Sequence, residues 1–209
     1  MCIRDRDKKV FFFFAALIIA IACSVITIKT LVGYSDMKTV YKILVSAVIV
    51  LGWFSILIMQ FIRSHDLLPV GLYTIVSHIF YTLMGFVFIL FIAIMLRDIV
   101  WYAIYGVAKL LGMSGWHIDP KNLSLLSRAN MIVVTFSILV SVYALYQGYK
   151  PPTPKEVYIY SDKISSNLRI AQISDLHITR ATPVLRIQQI VNEVNLLNPD
   201  VIVLTGDTI

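Results

Sequence analysis

Three side chains with metal-binding chemistry follow two short apolar runs late in the sequence. Asp175 and His177 come after the run 170–173, and Asp207 comes after the run 201–204. Residues two apart on an extended chain leave the backbone on the same side, so we expect Asp175 and His177 to reach one ion together. A carboxylate with an imidazole suits divalent metals such as Mn, Fe or Zn. These three residues are the candidate metal ligands.

A strand–helix–strand pattern predicts how the candidate ligands are positioned. Between the two runs, the segment 184–197 repeats apolar residues at three- and four-residue steps, which is typical of an amphipathic helix. The continuous apolar run 201–204 indicates a parallel strand buried on both faces. We therefore predict a right-handed βαβ unit. Ligands of parallel α/β sheets bind beyond the carboxyl ends of the strands, which is where all three candidates lie.

Each motif by itself is weak. An Asp-x-His triplet arises by chance about once in every five chains of this length. Asp175 and Asp207 are also residue types that cap helices or form turns, and His177 alone is compatible with an ordinary surface position. The ordered combination is more specific: an apolar strand, Asp-x-His, an amphipathic helix, Asn-Pro-Asp, a second apolar strand and Thr-Gly-Asp.

The segments 169–178 and 198–207 together resemble the opening of the calcineurin-like metallophosphoesterase family, especially its bacterial branch with N-terminal transmembrane helices. The resemblance covers about residues 155–209. It implies a four-layer α/β sandwich with two divalent metal ions, one held by Asp175 and His177, and both bridged by Asp207. It also implies that the catalytic His and Asn lie beyond residue 209, so we expect an N-terminal fragment, with a truncated catalytic domain, that is inactive by itself.

The composition indicates a membrane protein. The 209 residues are 58% hydrophobic and 14% charged, against roughly 45–50% and 25% in soluble domains. About 20 apolar residues are needed to cross roughly 30 Å of hydrocarbon. We predict a multi-pass α-helical membrane domain over 1–149, with transmembrane helices at 10–28, 43–62, 69–96 and 131–149. His78, inside the third of these, is interpreted as a structural histidine bonded to a neighbouring helix.

The segment 99–112 mixes aromatic and basic residues over a length too short to span the bilayer. It is either a continuation of the third helix into the headgroup region or a short separate interfacial helix. Gly148 and three prolines then interrupt the helical pattern, so we place a linker at 150–156 and the second domain at 157–209. Within that domain, 157–160 and 168–173 are predicted as strands of a hairpin.

The net charge of +6 belongs to the apolar part of the chain. Residues 1–150 carry seven more basic than acidic side chains, whereas 151–209 carry one more acidic than basic. Basic residues beside apolar runs anchor helices at a bilayer surface. The sequence contains no basic cluster with interleaved aromatic residues, so no nucleic-acid partner is predicted. Four spans leave seven basic residues on each side, so the membrane side of the second domain stays open. Residues 1–6 look foreign to the rest of the sequence. Without their two arginines, the count of basic residues on the two sides favours a position of the second domain outside the cell.

These observations predict a membrane-anchored, metal-dependent phosphoesterase of the bacterial cell membrane. Its reaction is hydrolysis of a phosphate mono- or diester by a water molecule that two metals activate. A site tethered beside a lipid bilayer favours a phospholipid or cell-envelope precursor as substrate. The alternative interpretation is a non-enzymatic membrane protein, a transporter or sensor with a small docking domain.

Overall fold

The computed structural model describes residues 3–35, 37–112, 122–163 and 166–207, with the side chains described from residue 10 onward. Of residues 1–6, which look foreign to the rest of the sequence, the first two lie outside the described part. The elements are, in chain order, α1 (Ile3–Leu31), α2 (Thr39–Ser64), α3 (Val70–Leu110), α4 (Leu123–Tyr149), β1 (Ile170–Ser174), α5 (Val184–Leu196) and β2 (Val201–Thr205).

The chain forms two compact units. The helical unit comprises the residues up to Leu67 together with Ile79–Tyr146. The sheet unit comprises Leu68–His78, which contains the first turns of α3, together with the residues from Gln147 onward. The start of one long apolar helix therefore belongs to the unit that carries the candidate ligands.

Four helices among the described residues are long and apolar enough to cross a membrane: Val10–Leu31 within α1, and the whole of α2, α3 and α4. The predicted segments 10–28, 43–62 and 131–149 lie inside one of them each, and 69–96 does so except for Pro69, which precedes α3. The chain is therefore a multi-pass membrane protein.

Helix α3 is longer than the hydrocarbon layer is thick. Its 41 residues extend over about 60 Å at 1.5 Å per residue, roughly twice the 30 Å of hydrocarbon. The segment 99–112 thus continues the third helix as far as Leu110 and is not a separate element. Because of its length, part of α3 lies outside the hydrocarbon.

The helical unit has a hydrophobic core to which all four of its helices contribute, and α2 and α3 approach each other closely within it. A Cβ built on Gly52 would lie 2.6 Å from Cγ1 of Val87, so the two helices approach closely at that glycine. One turn away, the Trp53 ring meets the edge of Phe91 with ring centroids 5.4 Å apart. Small residues that let helix backbones approach are the usual packing device in membranes, where lipid removes the hydrophobic drive for association.

A buried polar network joins α1, α3 and α4. The Arg97 guanidinium donates to the Asp98 carboxylate at 2.6 Å and to the side-chain oxygen of Asn130. The Asn130 amide in turn donates to the Thr30 carbonyl at 3.1 Å. Only 10% of the Arg97 side chain is exposed, and a buried charge is tolerated only when it is paired and hydrogen-bonded. Asn130 on α4 therefore forms hydrogen bonds with both α3 and α1.

The sheet unit contains the predicted strand–helix–strand order. Strands β1 and β2 pair in parallel, with Ile170 opposite Val201 and Ser174 opposite Thr205. At the amino ends, the Arg169 amide donates to the Asp200 carboxylate at 2.8 Å, and the Arg169 guanidinium donates to the Leu197 carbonyl at 2.7 Å. The Asn-Pro-Asp motif is thus structural: it ends α5 and fixes the start of β2.

Two predictions about the second domain are wrong. The segment 157–160 forms no strand, and its side chains are 69–93% exposed. A strand requires a partner, and β1 pairs within the described residues only with β2. The prediction that β2 is buried on both faces also fails, since Val201, Ile202 and Leu204 are exposed. Two strands and one helix are too few elements to cover both faces of a sheet.

Replacing Asn130 with alanine should destabilise the helical unit by about 1–3 kcal/mol, because a buried guanidinium and the Thr30 carbonyl each lose a partner. The free energy of unfolding of the protein in mixed micelles, followed by circular dichroism as dodecyl sulfate is added, measures the effect. Arg128→Ala on the exposed side of the same helix is the control, with an expected change within about 0.5 kcal/mol. Equal losses in both variants would contradict a structural role for the network.

Candidate metal centre

The Asp175 side chain lies against the backbone of Gly206. A Cβ built on Gly206 would lie 2.8 Å from Asp175 Oδ1, 3.2 Å from its Cγ and 3.3 Å from its amide nitrogen. Gly206 also has a φ of +78°, in the left-handed region that favours glycine. The residue after β2 must therefore be glycine for the carboxylate after β1 to occupy this position.

His177 and Asp207 approach each other beyond the last paired residues of the two strands. The His177 amide donates to the Asp207 carbonyl at 3.2 Å, and His177 Nδ1 lies 3.6 Å from Asp207 Oδ2. That separation is longer than a hydrogen bond. Both side chains remain accessible, with 66% and 60% of their surfaces exposed. The carboxyl edge of the sheet thus presents an imidazole and a carboxylate side by side to solvent.

The backbone that carries Asp175 and His177 is not extended. Their φ angles are +53° and +46°, both in the left-handed region. The prediction that Asp175 and His177 leave an extended strand on the same side is therefore wrong. The strand ends at Ser174, and the following turn sets the direction of each side chain. Left-handed backbone at non-glycine residues is strained, and such strain concentrates at functional sites.

The three candidate ligands are brought to one edge of the sheet but not to one point. Among the residues that the structure describes, no group of three or more His, Cys, Asp or Glu side chains is placed to hold a metal ion. The close pair is His177 with Asp207, while Asp175 lies against Gly206. The donor types fit a borderline divalent cation. Two atoms this far apart can both lie about 2.1 Å from one ion, at an angle of about 120°.

His78 has partners that account for it without a functional role. Its Nδ1 lies 2.8 Å from the Thr74 carbonyl of the preceding turn, and its ring stacks on Tyr149 with centroids 6.4 Å apart. These contacts agree with a structural histidine, but its hydrogen bond is to α3 itself and not, as predicted, to a neighbouring helix; Tyr149 on α4 contacts it only through the ring stack.

Arg180, just beyond the candidate ligands, is a residue that sequence reasoning missed. Its guanidinium donates to the Leu68 carbonyl and lies over the Tyr73 ring at the start of α3. The partners are more than a hundred residues apart in the chain, and no periodicity or motif links positions so distant. The signal that could have drawn notice is a basic side chain three residues after His177 in an otherwise neutral loop.

One comparison relates the chain to a known protein. A protein from Danio rerio named "Transmembrane protein with metallophosphoesterase domain" is 32% identical over 83 residues. The match covers 38% of this chain and 19% of that protein, so the matched segment corresponds to about one fifth of the relative's length. No protein-family profile matches the chain, and no solved structure matches it. The similarity supports a transmembrane protein related to metallophosphoesterases, and the bacterial branch stays a prediction.

Replacing Gly206 with alanine should displace the Asp175 carboxylate and weaken the turn. The added Cβ meets that side chain, and a left-handed φ costs a residue with a Cβ about 1–2 kcal/mol. Hydrogen exchange of the amides at 174–177 measures the local opening free energy, which should fall by this amount. Gly148→Ala in α4 is the matched control because a Cβ there has no neighbour within 4 Å. Indistinguishable exchange in the two variants would show that Gly206 is not required by the turn.

Proposed function

We propose that the protein is a membrane-anchored, metal-dependent phosphoesterase that hydrolyses a phosphate mono- or diester. The observation that carries the proposal is the approach of His177 Nδ1 to Asp207 Oδ2, at 3.6 Å, beyond two parallel strands. Ligand sites of parallel α/β sheets lie at this edge. The similarity to a transmembrane protein whose name includes a metallophosphoesterase domain supports the same class.

We assign the metal ligands as Asp175, His177 and Asp207. Asp175 and His177 would hold one divalent cation, and the Asp207 carboxylate would offset the repulsion between that cation and a second one. The metals are of the Mn, Fe or Zn class. Metal pairs in such enzymes supply activation of a water molecule at neutral pH and neutralisation of charge on the phosphate oxygens. The fold in this proposal is a four-layer α/β sandwich.

The chain's own residues perform three tasks in this proposal. The turn at 175–177 presents a carboxylate and an imidazole to solvent, where a phosphate group has access. Gly206 leaves space for the Asp175 carboxylate. The hydrogen bond from the His177 amide to the Asp207 carbonyl fixes the two strand ends relative to each other. The substrate is a phosphate ester of the bilayer or cell envelope, a phospholipid or a lipid-linked precursor, because four helices tether the site to a membrane.

Replacing Asp207 with asparagine should lower metal-dependent hydrolysis of bis(p-nitrophenyl) phosphate by roughly 100-fold or more, since several kcal/mol of charge stabilisation depend on metal ligands. The protein expressed from its complete coding sequence is assayed in detergent with Mn²⁺, and removal of metal by EDTA should have the same effect. Calorimetric titration with Mn²⁺ should show weakened binding in the variant. Resistance of the membrane fraction to carbonate extraction should be unchanged, because the substitution lies far from α1–α4 in sequence.

Asp200→Asn is the matched control for this experiment. It makes the same carboxylate-to-amide change at the other end of β2, where the side chain accepts a hydrogen bond from the Arg169 amide and an asparagine oxygen can still accept it. Its hydrolysis rate and Mn²⁺ affinity should stay close to those of the unchanged protein. Full activity and full Mn²⁺ binding in the Asp207 variant would refute the ligand assignment and favour a non-enzymatic docking domain.

A further inference from the structure

Arg180 connects the loop after the candidate ligands to the start of α3 through both its side chain and its backbone. Guanidinium Nη2 donates to the Leu68 carbonyl at 3.1 Å, and Cζ lies 5.2 Å from the centroid of the Tyr73 ring. The Thr74 hydroxyl donates to the Arg180 carbonyl at 3.3 Å. Arg180 is thus in contact with Leu68, Tyr73 and Thr74.

The contact includes buried groups, which strengthens it. Tyr73 is 4% exposed and Ser77 is fully buried, and with Ala171 they are the buried residues of the sheet unit within its described part. A cation over an aromatic face gains most when the pair is removed from water. By contrast, α5 contains no buried residue. The start of α3 therefore supplies two of the three buried residues in the described part of the sheet unit.

The loop that carries Arg180 is closed on itself. The Thr182 amide donates to the Thr179 carbonyl at 2.9 Å, and the Thr179 amide donates to the Thr182 hydroxyl at 2.9 Å. A turn closed by reciprocal hydrogen bonds has little freedom, so the position of Arg180 determines that of its neighbours. His177 is three residues away, and three residues reach at most about 11 Å. The candidate ligands are consequently held close to the first turn of α3.

That first turn is also the start of the uncharged segment of α3. The segment 69–96 contains no charged residue, and α3 begins at Val70. The headgroup layer on each side of the hydrocarbon is about 5–7 Å thick. The chain between His177 and Arg180 spans at most about 11 Å, which is of the same order as the thickness of that layer. By contrast, the Arg186 guanidinium donates at 2.9 Å to the carbonyl of Lys150, which lies outside α3.

We propose that Arg180 is a positioning residue that fastens the ligand-bearing loop to α3 at the membrane boundary, and so selects phosphate esters presented by the bilayer surface over freely dissolved ones. This inference rests on the proposed phosphoesterase function and specifies its substrate class as an amphiphilic, lipid-linked phosphate ester. Arg180 does not contact the phosphate in this proposal. It acts through the placement of Asp175 and His177 relative to the headgroup layer.

The test compares two substrates that release the same product. Bis(p-nitrophenyl) phosphate is soluble, whereas hexadecyl p-nitrophenyl phosphate is presented in phosphatidylcholine vesicles. The protein from its complete coding sequence is reconstituted in those vesicles with Mn²⁺. In Arg180→Gln, the ratio of kcat/KM for the vesicle substrate to kcat/KM for the soluble one should fall about tenfold, mainly through KM. A ratio rather than a rate is used because a general loss of folded protein cancels from it.

Three further variants separate positioning from general damage. Arg180→Lys keeps the cation and should restore part of the ratio, whereas Arg186→Gln removes a nearby guanidinium of the same unit and should leave it unchanged. Tyr73→Phe keeps the aromatic face and should retain the ratio, whereas Tyr73→Leu should lower it. An unchanged ratio in Arg180→Gln, or an equal fall in Arg186→Gln, would overturn the proposal.

Hydrogen exchange provides a measurement that does not depend on activity. In the vesicle-bound protein, the amides of Ala181 and Thr182 should exchange about tenfold faster in Arg180→Gln than in the unchanged protein or in Arg186→Gln. Unchanged exchange would contradict the attachment of the loop to α3. Hydrolysis of neither substrate by the unchanged protein would contradict the proposed function, and the exchange data would then still decide whether Arg180 fastens the loop.

Discussion

The in-register parallel pairing of β1 with β2 is the constraint on which the candidate site depends. Because Ser174 lies opposite Thr205, the next residues of both strands emerge together at one edge. The carboxylate of Asp175 then meets the one residue without a side chain, Gly206, and His177 meets Asp207. A slip of one residue would place a side chain against Asp175 and separate the imidazole from the carboxylate. The register of the two strands, more than any single contact, therefore brings the candidate ligands to the same edge of the sheet.

A second constraint comes from the membrane. Four helices tether the chain to a bilayer, and α3 continues beyond the hydrocarbon because its 41 residues are too long for that layer. The start of α3 belongs to the unit that carries the candidate ligands. Leu68, whose carbonyl accepts a hydrogen bond from Arg180, belongs to that same unit.

The donor types at the carboxyl edge of the sheet suit a divalent cation, but the structure does not bring them to one point. An imidazole and two carboxylates are donors that borderline divalent cations accept, yet within the described residues they form a close pair and a separate carboxylate. The two strands of the described part leave apolar side chains of β2 exposed.

The sequence by itself determined the four membrane helices, the order strand–helix–strand and the residue types at the sheet edge. These depend on local composition and periodicity, and a run of about 20 apolar residues has few alternatives to crossing a bilayer. Tertiary structure alone decided that 157–160 forms no strand, that Asp175 and His177 have left-handed backbone, and that Arg180 attaches to Leu68 and Tyr73. Strand pairing, turn geometry and cation–π contacts depend on which distant residues become neighbours, and no local pattern in the chain encodes that choice.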